Sequence, residues 1–134
     1  MWKYKNPKYG DHIRIDRGMY FHHGIYESDD VVYQFASPIG SEVSPDTAII
    51  HATTLENFLK GGLVMVREYT EEELLKKRNP DEIIAYAKEH LGEGGYNLIS
   101  NNCEHFSNRC VFGESKSSQV DDIFQMIMEA IKWK

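Results

Sequence analysis

The sequence predicts an α+β fold in which a small, mostly antiparallel sheet packs against helices. Three observations predict it. Residues 22–35 form two short apolar-alternating arms around the polar turn Glu27-Ser28-Asp29-Asp30, the pattern of a hairpin. Thr70 with Glu73, and Asn79 with Pro80 and Glu82, carry helix-start chemistry. The chain has 134 residues, 41% of them hydrophobic, which suits one domain with one core over residues 1–134.

Taken in order, Ile13 and Ile15 alternate with polar residues after Gly10-Asp11, as in a half-buried strand. The hairpin arms run from His22 to Tyr26 and from Val31 to Phe35. Pro38, Gly40 and Pro45 mark a loop over 37–46, and Ala48 to His51 reads as another strand. Thr54 caps a short helix that Gly61-Gly62 stops, and Leu63 to Tyr69 alternates as a strand. Thr70 opens a helix to about Arg78, and Asn79 opens the next, with Ile83, Ile84, Ala87 and Leu91 on one face. A further helix is expected from Asn102 to Phe112. The segment 120–134 is amphipathic, with Val120, Ile123, Phe124, Ile127 and Ile131 at helical spacing. It suits either packing on the domain or contact with a lipid surface.

Composition excludes some functions. The net charge is −6 and the basic residues are scattered, which argues against a nucleic-acid partner. No apolar run reaches the roughly 18–20 residues that span a bilayer. Met1 to Gly10 has three lysines but no apolar core after them, so a secretory signal is not expected and the chain reads as cytoplasmic. On a helix, Cys103 and Cys110 would lie about 10 Å apart, beyond the roughly 7 Å limit of a disulfide. Two free thiols are expected.

Cys103 is the first candidate for chemistry. Asn101 is a possible cap, Glu104 follows three residues later, and Cys103 falls in the first helical turn. There the helix dipole and free N–H groups favour an anion and lower a thiol pKa. The bland alternative is a small buried apolar residue. Cys110, two turns on, reads as core. A base must come from the histidines. If the hairpin pairs about Ser28, His22 faces Gln34 directly, and the amide orients the ring. A slip of one residue would present His23 instead. His12 is expected to be exposed, His51 to end a strand, and His90 to lie on a helix's exposed side. His105 points around the helix from Cys103 and suits packing or support of the site's residues rather than the role of base. The spacing of Cys103, His105 and Cys110 matches no zinc pattern, so neither metal nor cofactor is expected.

These residues resemble a known family. Gly10-Asp11-His12-Ile13, Tyr20-Phe21-His22-His23-Gly24-Ile25-Tyr26, Val31-Val32-Tyr33-Gln34-Phe35 and Asn102-Cys103-Glu104-His105-Phe106 are similar, in this order, to segments of the lecithin:retinol acyltransferase (LRAT) family. Its wider relatives are the H-Ras-like suppressor phospholipase/acyltransferases and the NlpC-type peptidases. The likeness runs from about Lys8 to Gln119.

The resemblance implies a circularly permuted papain-like (NlpC-type) fold. It implies a cysteine that takes an acyl group from a lipid and passes it to an alcohol, an amine or water. Carried over, Cys103 is the nucleophile, His22 the base and Gln34 the third member. His23 falls where the family usually has an aromatic residue. The chain departs from the family at Gln34, where animal members carry a second histidine, and in having no hydrophobic anchor within 120–134. Two alternatives stand beside this: a thiol amidase or peptidase, as in the wider superfamily, and a non-catalytic binding module that keeps the fold. The expected partner is an acyl-bearing small molecule or lipid, with membrane-surface contact possible.

Overall fold

The computed structural model describes residues 1–113 and 125–131. Six strands form one sheet: β1 (Trp2–Tyr4), β2 (His12–Asp16), β3 (Phe21–Ser28), β4 (Val31–Ala36), β5 (Ile49–Thr53) and β6 (Met65–Arg67). Their order is β1-β6-β2-β3-β4-β5, and every pairing is antiparallel. Helices α1 (Leu55–Leu59), α2 (Glu71–Lys76), α3 (Pro80–Glu89) and α4 (Cys103–Phe112) accompany it, and α1, α3 and α4 pack on its faces.

Strand alternation divides the core between the two faces. Ile13, Ile15, Val32 and Val66 point to one face, where Phe58 of α1 covers them. Ile25, Tyr33, Phe35 and Ile50 point to the other, beneath Ile83, Ile84 and Ala87 of α3 and Phe106, Cys110 and Val111 of α4. The helices begin where their polar starts satisfy free N–H groups. Thr70 with Glu73, and Asn79 with Glu82, each form a reciprocal capping box. Gly113 ends α4 with φ 81°, a left-handed cap that a side chain would strain.

Two expectations need correction here. The hairpin turn shortens to Asp29-Asp30, and a register irregularity between Tyr26 and Ser28 sets Gly24, not His22, opposite Gln34. Trp2–Tyr4, to which the sequence reading assigns no element, pairs with β6. Of the C-terminal segment, residues 125–131 are helical, and Ile127 and Ile131 are exposed rather than packed. Val120, Ile123 and Phe124 lie outside the described residues.

Candidate active site

Helix α4 places Cys103. Its cap is Asn102, not Asn101, and the reciprocal residue is His105, not Glu104. The Asn102 side chain accepts from the Glu104 and His105 amides at 2.9 and 3.1 Å, and His105 Nδ1 accepts from the Asn102 amide at 3.0 Å. A second anchor is Asn102 Nδ2, which donates to the Leu98 carbonyl at 2.9 Å. Cys103 is buried, with Sγ 3.9 Å from the carbonyl oxygen of Phe21, the first residue of β3. The expected low thiol pKa is not found. Burial pushes the thiol up to about 12, although the backbone N–H groups of His23 and Glu104 act the other way. Desolvation outweighs the helix start because the sulfur is closed off from water. Cys110, deeper in the core, is also raised by burial. Both thiols are free.

His22, the second residue of β3, lies on the opposite sheet face from His23. Its Nε2 is 2.8 Å from Gln34 Oε1. The amide oxygen only accepts, so this bond puts the ring proton on Nε2 and leaves a lone pair on Nδ1. The contact is diagonal across the hairpin rather than direct, and Gly24 makes room for it. A Cβ at Gly24 would sit 2.7 Å from a Phe58 ring carbon. Phe58 occupies that space and stacks on the His22 ring at 4.9 Å between centroids. Gln34 in turn has its amide nitrogen 3.3 Å from His51 Nε2, its cross-strand neighbour on β5. Burial lowers the His22 pKa to about 4, against the opposing pull of Glu42 and Gln34. The imidazole is therefore neutral at pH 7.

Sequence reasoning missed Glu42. It lies in the loop after β4, with its oxygens 2.9 and 3.0 Å from the Arg17 guanidinium and 3.6 Å from His22 Nε2. The Tyr20 hydroxyl donates to it as well. Burial opposes its charge, but Arg17, His22 and Tyr20 hold the carboxyl at about 2, so it is ionised. The available signal was topological. Residues 37–46 leave β4 at the end of the sheet where β3 begins, so an acid there stands beside His22.

The other histidines serve elsewhere. His12, expected to be exposed, is 1% exposed. It faces away from Ile13 and Ile15, beneath the Trp2 ring that β1 supplies. Arg67 donates to its Nδ1 at 3.3 Å, and its Nε2 lies 2.8 Å from His23 Nδ1. His23 Nε2 is 3.9 Å from Glu104. His23 is thus tied into a separate buried chain, whereas Gln34 holds His22. His51 lies inside β5 rather than at its end. His90 is only a quarter exposed, C-caps α3 and stacks on Tyr86. Among the described residues no group of three or more His, Cys, Asp or Glu is arranged to hold a metal.

With this geometry in hand, comparison with known proteins is decisive at the level of family. The lecithin retinol acyltransferase family model matches residues 5–116. The chain belongs to this family. It is 32% identical to human phospholipase A and acyltransferase 3 over 126 residues, covering 87% of this chain and 78% of that protein. Human phospholipase A and acyltransferase 4 is also 32% identical, with 88% and 77% covered. Rat lecithin retinol acyltransferase is 27% identical over 92% of this chain. The chain spans 62% of the length of that relative. No helix among the described residues is long and apolar enough to cross a membrane.

Proposed function

We propose that the chain is a cysteine-dependent acyltransferase or phospholipase A-like hydrolase that acts on a lipid ester through a thioester. The observation that carries this reading is the 2.8 Å bond from His22 Nε2 to Gln34, which leaves Nδ1 as the free basic nitrogen. Cys103 meets the backbone of β3 one residue before that histidine. The names of the family relatives support the same class of activity.

In this mechanism the thiol and imidazole are both neutral at rest. His22 Nδ1 takes the Cys103 proton as Sγ attacks the ester carbonyl carbon. In the same mechanism the first-turn amide of Cys103 steadies the oxyanion. The C–S bond forms, the ester C–O bond breaks, and the leaving alcohol takes the proton from His22. Water, an alcohol or an amine then attacks the thioester and returns a proton to His22. Cys103 leaves as thiolate and recovers that proton. No cofactor enters.

The reading extends to the fold and setting: a permuted papain-like, NlpC-type arrangement, one domain, a cytoplasmic location and contact with a membrane surface. Exposed Met126, Ile127, Met128 and Ile131 on the helical residues 125–131 support the last of these. The test is product analysis with phospholipid vesicles, acyl thioesters and acylated peptides side by side. Release of lysophospholipid and fatty acid, or transfer of the acyl group to an added amine, is expected from the wild type and not from Cys103→Ala. Cleavage of the peptide alone would replace this reading with the amidase one.

A further inference from the structure

We propose that Glu42 is the charged partner of His22, a positioning residue that stabilises the imidazolium formed while Cys103 is being acylated. The proposal rests on the thiol–imidazole reading above. Gln34 orients the ring but has no charge to offer. A group that must become cationic inside a buried site requires a counter-charge, because desolvation disfavours the ion. Glu42 is the carboxylate facing Nε2, at 3.6 Å.

The loop is built to keep it there. Ser37 N–H donates to the Glu42 carbonyl at 2.8 Å, and the Ala48 and Thr47 amides bond back to Ser44. Arg17 grips both carboxylate oxygens and also donates to the Phe58 carbonyl at 2.6 Å, joining the loop to the end of α1. Phe58 is the ring on which His22 stacks. One cluster therefore sets both the orientation and the charge environment of the imidazole.

Other charges bear on His22. Arg17 and Lys60 oppose its protonation, and Lys60 stands 3.8 Å from Glu42. Tyr20 donates to Glu42 and stays protonated, its pKa raised by burial and by that bond. Beyond Gln34 lies His51, His23 stands on the other sheet face, and Cys103 meets the Phe21 carbonyl next to His22 in the chain. Glu42 also disfavours the Cys103 thiolate, but more weakly than burial does. That penalty ends when the sulfur charge passes to the substrate carbonyl, while the imidazolium persists until the leaving group is protonated.

The test is an NMR titration of ¹⁵N-labelled histidine, made in a Cys103→Ala background and without substrate. Glu42→Gln keeps one acceptor for Arg17 and Tyr20 and removes only the charge. It should lower the His22 midpoint by about one unit or more, as expected for loss of an opposite charge at this distance. Lys60→Asn removes a charge of the other sign at an exposed position whose φ of 48° suits asparagine, and should raise the midpoint. In the protein with Cys103 present, Glu42→Gln should slow acylation on the order of tenfold, matching the titration shift. An unchanged His22 midpoint in Glu42→Gln, with the fold intact by circular dichroism, overturns the proposal. A shifted midpoint in a protein that never acylates Cys103 would instead overturn the mechanism and leave the charge pairing standing.

Discussion

Cys103 and His22 each start in the form least able to react: a protonated thiol raised to about 12 and a neutral imidazole lowered to about 4. The proposed catalysis therefore rests on moving a proton during attack, not on a standing ion pair. Iodoacetamide should label Cys103 slowly at neutral pH and faster at alkaline pH, yet still before Cys110 in the α3–α4 core. Peptide mapping after limiting reaction checks this, and earlier labelling of Cys110 would count against the assignment. Gln34→Ala should keep the fold and lower the acylation rate on the order of tenfold or more, because the ring loses its fixed tautomer. Gln34→His should retain activity. Equal acylation by Gln34→Ala would reduce Gln34 to a polar strand residue. At this scale the sequence revealed His22 and its partner, but for a simpler reason than the real one. Direct pairing about Ser28 gave the correct pair, whereas the structure reaches it diagonally over Gly24. Glu42 was not legible, since its place beside His22 depends on where a loop folds back.

The elements that aim these side chains are α4 and the β3–β4 hairpin. Capping residues made the helices readable: Thr54, Thr70 and Asn79 all cap where their side chains predicted. At α4 the reading slipped by one because Asn101 and Asn102 are equivalent in type, and only the local chain path selects Asn102. Asn102→Ala should cost about 1–2 kcal/mol of stability through loss of the cap. It should also reduce Cys103 acylation, which a urea melt paired with an acylation assay would separate. Gly24→Ala is the corresponding test of the hairpin. The added methyl meets Phe58 at 2.7 Å and the Tyr33 carbonyl at 3.0 Å. It should destabilise by roughly 1–3 kcal/mol and tilt the His22 ring off Phe58. Unchanged ring-current shifts for His22 would show that Phe58 does not set its position. The sheet edge was not legible, because Trp2–Tyr4 is too short to show an alternation and is fixed by pairing with β6.

Across the whole molecule, the buried polar chain from Arg67 through His12 and His23 to Glu104 joins β6, β2, β3 and α4. Burial lowers both histidines well below 6.5, helped by His23 and the nearby arginines at His12 and by the arginines and His22 at His23. The unfolded chain therefore binds protons that the folded chain refuses. Stability is fully present above about pH 6.5 and falls as the pH drops below it. Urea midpoints between pH 7.5 and 5 should decline, and a flat profile would contradict the buried neutral assignment. The α+β class was legible from alternation and caps alone. The two-faced core was less so, because His12 and His23 interrupt its apolar pattern with residues that only a partner can bury.

In the proposed mechanism an acyl group passes through the sulfur of Cys103. Intact-protein mass spectrometry after brief mixing with phospholipid vesicles tests it most directly. The account predicts one added acyl mass that hydroxylamine removes and that maps to Cys103. It should be absent in Cys103→Ala and strongly reduced in His22→Ala. Lipid turnover by Cys103→Ala at the wild-type rate, with no acyl mass on the protein, would contradict it.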